Sequence, residues 1–286
     1  MEEQNWEEQN QTGIVDQALA HPIKYTVMLT KEIFSLNKGL FLGITAIVIL
    51  LSLLSNIPIL GLIASVLSGI LMFSLFFFVG KVFYHSKTMD EFVDAIRSMT
   101  IANLWKNYWK PSLGAYAGWV ILILAIMLLI GLIIGISGQG GNLAAGMQSN
   151  DPTAMLAIIP LMIFPFILIA LLLYVMPLVF ANIIKTDNFN DAFKAVFTIF
   201  SKDVWRRAFT GAYFKYMGLL GLLLILFTVI IVVLSGLFMS LFAAIDPSMM
   251  LVGMVVVLIL MVILQIVMNI FYAVSSVIAD RMTKQQ

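Results

Sequence analysis

Two histidines, His21 and His85, are the only imidazoles in this chain of 286 residues, and there is no cysteine. His85-Ser86 followed by Asp90-Glu91 brings a base, a hydroxyl and two carboxylates close together, the inventory of acid–base catalysis. The same string is also how a chain leaves one helix and opens the next, with acidic residues in the new first turn. Neither histidine sits in an HExxH spacing, no Walker A string occurs, and thiolate chemistry is absent. Copper would need clustered outer-face methionines, which only Met249 and Met250 approach. Met254, Met261 and Met268 suit flexible apolar packing. The chain therefore reads as a non-enzyme, with no catalytic, cofactor-binding or metal residues expected.

Two other groups of polar residues invite a use. Gln265 and Asn269, four apart and so on one helical face, lie with Ser276 in the last apolar run. Such a stripe either joins helices by side-chain hydrogen bonds or lines a path for a polar group. Lys106, Lys110, Arg206 and Arg207 are candidate lipid-headgroup contacts, each cation near an anionic surface contributing about 1 kcal/mol. Beside them stand Trp105, Tyr108, Trp109 and Trp205. Aromatic and basic residues in this pattern also set depth and orientation at a membrane boundary. No charge falls near the centre of an apolar run, and Lys81 and Lys215 are close enough to one boundary to snorkel. Without intramembrane carboxylates, ion-coupled transport is disfavoured.

The elements that must carry these groups follow from composition. Hydrophobic residues make up 62% of the chain and charged ones 11%, against about a quarter charged in a soluble domain. Candidate spans are roughly 39–56, 58–82, 112–136, 153–184, 209–243 and 249–278, each with about 20 residues or more to cross the hydrocarbon. All sixteen Lys and Arg fall in four stretches: Lys24 to Lys38, residues 81–110, residues 185–215, and Arg281 with Lys284. The other three connections contain none. Cationic loops stay on the cytoplasmic side, which predicts six spans with both termini inside a bacterial cytoplasmic membrane. Glu2, Glu3, Glu7 and Glu8 precede any apolar run, so no cleaved secretory signal is expected.

This divides the chain into a segment 1–38, a six-helix membrane domain 39–280 and a tail 281–286. The first segment is expected to be disordered over 1–12 and to form an in-plane helix at about 23–37. The 137–152 connection is rich in Gly, Asn and Ser and reads as flexible. Pro160, Pro165 and Pro177 predict bends in the fourth segment or a shorter spanning core. Gly114-x-x-x-Gly118, Gly131-x-x-x-Gly135, Ala64/Ser68 and Ser65/Gly69 mark close approach, with segments two and three packed centrally or at a homodimer contact.

Both inner loops repeat one pattern. Phe92-x-Asp94-Ala95-Ile96-Arg97 with Trp105-Lys106 matches Phe189-x-Asp191-Ala192-Phe193-Lys194 with Trp205-Arg206, three residues further apart in the second copy. An internal duplication of helix, interfacial helix, helix explains this. Phe189, Ala192, Phe193, Val196, Phe197 and Phe200 recur at three- and four-residue steps, so a helix here should lie in the membrane plane, aromatics toward lipid.

Pro177 in Pro-Leu-Val-Phe-Ala, Phe-x-x-Ala at Phe189 to Ala192, and a Trp before the next span carry a resemblance. Over most of 39–280 the chain resembles bacterial six-span inner-membrane proteins. These include YciC-like proteins and the membrane domain of glycerophosphoryl diester phosphodiesterases. The resemblance implies a fold and a compartment, and no attached phosphodiesterase domain is expected.

The sequence thus points to an all-α polytopic protein with two or three cytoplasmic in-plane helices. Its expected role is a non-enzymatic component or partner subunit in envelope or lipid homeostasis. Membrane lipids, a second copy or a protein partner are its expected company, and nucleic acid is not. The alternative is a transporter or lipid-translocating channel built on the proline-broken fourth span and the polar stripe of the sixth.

Overall fold

In hydrocarbon a peptide group has no partner but another peptide group, so long apolar runs fold as helices. The computed structural model describes residues 14–55, 57–136, 152–245 and 250–284, and every element among them is helical. The expectations for residues 1–12, for the 137–151 connection and for Met249 lie outside the described residues. Short helices α1 (Ile14–Ala20) and α2 (Pro22–Leu36) lead into α3 (Lys38–Leu54) and α4 (Pro58–His85). After α5 (Met89–Ser98) comes α6 (Ile101–Ile136), then α7 (Pro152–Ile184) and α8 (Phe189–Val196). A 3-10 turn at Phe197–Phe200 and α9 (Lys202–Ala208) precede α10 (Gly211–Ile245) and α11 (Met250–Lys284).

Five helices, α4, α6, α7, α10 and α11, are long and apolar enough to cross a membrane. The pair α2 and α3, bent by 87°, makes a sixth where the two together count as one span. This is an all-α polytopic membrane protein. Asn37 holds the corner. Its Oδ1 accepts from the Leu40 amide at 3.0 Å, capping α3, while Nδ2 donates to the Ile96 and Met99 carbonyls at the end of α5, 2.8 and 2.9 Å away.

Connectivity brings the starts of α3, α6 and α10 and the ends of α4, α7 and α11 to one side, together with α5, α8 and α9. We call this the basic end. The core is concentrated toward it: Phe76, Phe77, Phe78 and Phe83 of α4 pack with Leu178, Val179 and Ile183 of α7 and Val274 and Ile278 of α11. α4 buries 56% of its most apolar stretch and α10 only 6%, so α4 is central and α10 peripheral. Toward the opposite end, residues such as Leu128, Leu222 and Val232 are left exposed, an apolar surface suited to lipid chains.

Several local expectations change. α6 begins at Ile101, not near residue 112, and runs unbroken through Pro111, so Trp105 and Trp109 lie inside a long helix. α7 is one helix through Pro160, Pro165 and Pro177, and its candidate span is the shorter stretch Pro165–Ile184, in agreement with the shorter spanning core the prolines predict. A proline removes one hydrogen bond and leaves the ladder on either side, and in an apolar medium the helix has no better alternative. α11 continues past residue 281 to Lys284. Segments two and three do pack together, through Gly69 against the Tyr116 ring and a 3.0 Å hydrogen bond between Ser74 and Ser112. Gly114 and Gly118, however, receive the backbone of α8, while the added volume of a side chain at Gly131 or Gly135 would meet nothing.

That close approach decides which face of α8 is buried. Ala192, Ala195 and Val196 turn inward, Phe193 and Phe197 are half-buried, and Phe189 and Phe200 remain exposed. The small residues, not the aromatic ones, form the protein-facing side. The three extra residues of the second repeat are taken up by the 3-10 turn and the separate α9. There Trp205 Nε1 donates to the Ile199 carbonyl at 2.7 Å.

Candidate functional site at the basic end

Asp280 lies near the end of α11 with no exposure to solvent, and a buried carboxylate persists only where cations meet it. Three do. Lys185, just past α7, places Nζ 2.7 Å from Oδ2, Lys284 lies 3.1 Å from the same oxygen, and Arg207 of α9 reaches Oδ1 at 2.8 Å. One carboxylate thus ties together α7, α9 and the last turns of α11.

Local sequence sets α9 in place for this. Ser201 caps it by accepting from the Asp203 amide at 3.2 Å, Asp203 occupies the first turn, and Arg206 and Arg207 the last, each where the helix dipole favours its charge. Asp203 pairs with Arg206 at 3.0 Å. It also lies 3.1 Å from Arg207 Nε, within ion-pair distance but too poorly aligned for a hydrogen bond, so that buried Nε proton is unsatisfied.

These groups line a cavity of about 650 Å³ with Asn182, Thr210 and Thr283. Lys185, Arg206, Arg207 and Lys284 face Asp203 and the Asp280 behind them, four cations to two carboxylates, which leaves an excess of two positive charges. The cations differ in freedom. Arg207 is held, 11% exposed, whereas Arg206 at 78% and Lys284 at 49% have donors to spare. Lys185 also lies over the Tyr84 ring at 5.7 Å, whose other cationic neighbour is Arg281 at 4.5 Å. Burial is the main force pushing the Lys185 ammonium down from 10.5 to about 8, against the pull of Asp280. The arrangement can bind an anion of phosphate size by charge-assisted hydrogen bonds.

Of the residues singled out in the sequence, Arg206 and Arg207 meet here, joined by Lys185 and Lys284. Lys106 and Lys110 do not: both are exposed on α6, with Lys110 over the Trp109 ring at 5.9 Å. The stripe on α11 runs from one environment to another. Gln265 is exposed, Asn269 half-buried with its Oδ1 enclosed and lacking a hydrogen-bond partner, and Ser276 buried, donating to the Tyr272 carbonyl of its own helix at 2.5 Å. His85 and its neighbours form a helix boundary. Ser86 donates to the Val82 carbonyl, Glu91 accepts from the Lys87 amide, and Thr88 caps α5. Lys81 pairs with Asp187 across the two helix ends.

Sequence reasoning missed Asp280, the centre of the site. Its signal was present: it is the only carboxylate after Asp246, placed where an apolar run gives way to Arg281 and Lys284. In comparisons with known proteins, no family model, no curated protein and no solved structure matches this chain.

Proposed function

We propose that this integral membrane protein is a non-enzymatic component of envelope or lipid homeostasis in a bacterial cytoplasmic membrane. Its basic end faces the cytoplasm and binds an anionic, phosphate-bearing headgroup. The observation that carries this reading is the positive excess in the cavity between α7, α9 and α11, with Arg206 and Lys284 still accessible. Anionic lipids concentrate at such a surface, and each nearby cation adds to the attraction. The aromatic residues Trp105, Trp109 and Trp205 around the basic end support placement at the membrane boundary.

The alternative, a transporter or lipid-translocating channel, needs a polar path through the bundle. Among the described residues of α4, α7 and α11 the interior is packed with Phe76, Phe77, Phe78, Val179 and Val274 and offers no polar path, which favours the component reading. Native mass spectrometry of the protein in mild detergent tests it. Phosphatidylglycerol should be retained in preference to phosphatidylcholine, and the Arg206→Ala, Lys284→Ala double variant should lose that preference. Equal retention of both lipids by the unaltered protein would sink the headgroup reading.

A further inference from the structure

Toward the middle of the membrane from the cationic cavity, α7 and α10 stand apart. Pro177 and Phe180 of α7 face Met217, Gly221 and Ile225 of α10 across a cleft of about 390 Å³, with Tyr272 of α11 as its third wall. The lining is almost wholly apolar. The cleft and the cavity are consecutive along the same helices. On α7, Phe180 lines the cleft while Asn182 and, one residue past the helix, Lys185 line the cavity, about 3 to 8 Å further along the axis. Thr210, just ahead of α10, borders the cavity and Met217 of α10 the cleft, about 10 Å apart by helical rise.

Two tyrosines tie the walls together. Tyr174, which lines the cleft, donates to the Ala208 carbonyl at the end of α9 at 2.5 Å, and Tyr213 donates to the Tyr174 carbonyl at 2.5 Å. These bonds join α7 to α9 and α10. A cationic compartment at a membrane boundary, continued by an apolar one toward the hydrocarbon, has the polarity profile of a single amphiphile. A second apolar groove, between α2, α10 and α11, has one cation on its lining, Lys31, and no comparable cluster.

Resting on the headgroup reading above, we propose that cavity and cleft form one phospholipid site. The phosphate lies among Lys185, Arg206 and Lys284, and an acyl chain lies between α7 and α10 against Phe180 and Gly221. Gly221 is what leaves room: it lines the cleft, and a Cβ at that position would meet no atom within 4 Å. A larger residue there would occupy the chain's space without disturbing the packing around it.

The test compares two lesions by native mass spectrometry, with dioleoyl phosphatidylglycerol and with glycerol 3-phosphate as probes. Gly221→Phe should weaken retention of the lipid at least tenfold and leave glycerol 3-phosphate binding unchanged. Arg206→Ala with Lys284→Ala should weaken both. Ile225→Trp, at an exposed lining position, replaces Gly221→Phe if that variant does not fold. If the cleft-filled variant retains phosphatidylglycerol like the unaltered protein, the acyl-chain assignment is overturned and the headgroup reading stands. If the unaltered protein binds neither probe, both fall.

Discussion

Arg207 and Asp280, 73 residues apart, meet at 2.8 Å on a carboxylate that has no contact with solvent. The pair connects a helix of seven residues to the last spanning helix, and Lys185 and Lys284 complete the charge around it. A short helix such as α9 has little stability of its own. Its position therefore depends on what it is tied to: this ion network, the Tyr174–Ala208 hydrogen bond and the burial of Val204 and Ala208.

Asp280→Asn should consequently be among the most damaging single substitutions at the basic end. Removing one member of a buried ion network strands the others, at a cost of about 3 kcal/mol or more. Lys284→Ala removes a half-exposed cation and should cost within about 1 kcal/mol. Thermal unfolding in detergent, with limited proteolysis of residues 197–210, reads both. An Asp280→Asn protein that melts with the unaltered one would show that α9 is held by packing alone.

Raising the pH should affect stability and binding in opposite directions. Lys185, held down to about 8, faces Asp280 and Lys284 of α11 and the Tyr84 ring of α4. Between about 8 and its ordinary 10.5 the unfolded chain keeps a proton that the folded one has released. The burial cost of the ammonium, felt in full below that window, is relieved across it, and stability rises with pH. The cavity meanwhile loses a cation, so retention of phosphatidylglycerol should fall between pH 7 and pH 9. Lys185→Met should flatten that fall. An undiminished slope in Lys185→Met would assign the titration to another group.

Which parts of this were legible beforehand follows from the range of the interactions. Apolar runs and clustered cations are one-dimensional patterns, so the helices and their common basic end could be read directly. The helix α2 could be read as well, from Ile23, Val27 and Phe34 interleaved with Lys24 and Lys31. Asn37 could not: its value lies in three carbonyls some sixty residues away, at the end of α5. The partners of Asp280 were hidden for the same reason, since its cations come from three separate places in the chain. Arg206 and Arg207 were visible as adjacent charges, but their different fates, one exposed and one committed to Asp280, exist only in three dimensions.

The absence of cysteine makes the membrane orientation directly measurable. Asp90→Cys and Lys202→Cys, both exposed at the basic end, should react with a membrane-impermeant maleimide only when the cytoplasmic face is opened. Ile57→Cys, at the first turn on the opposite side, should react in intact cells. Labelling of all three in intact cells would contradict the orientation drawn from the distribution of Lys and Arg.

The glycine pairs of α6 offer a test of packing with an internal control. A Cβ at Gly114 would collide with the Phe189 carbonyl, which is backbone and cannot move aside without shifting α8, and one at Gly118 would lie 2.8 Å from Val196 Cγ2. Gly131 and Gly135 repeat the same spacing between four and five turns further along, where an added methyl meets nothing. Gly114→Ala should therefore destabilise the protein by about 1–3 kcal/mol, the usual cost of overpacking, and loosen α8. Gly131→Ala should be neutral or slightly stabilising, because alanine is the better helix former by about 1 kcal/mol. Melting temperatures of the two variants, measured side by side in the same detergent, decide the matter. If Gly131→Ala proved the more damaging, the outer half of α6 would have a partner in the purified protein. A second copy packed through Gly131 and Gly135 would then be the first candidate to examine.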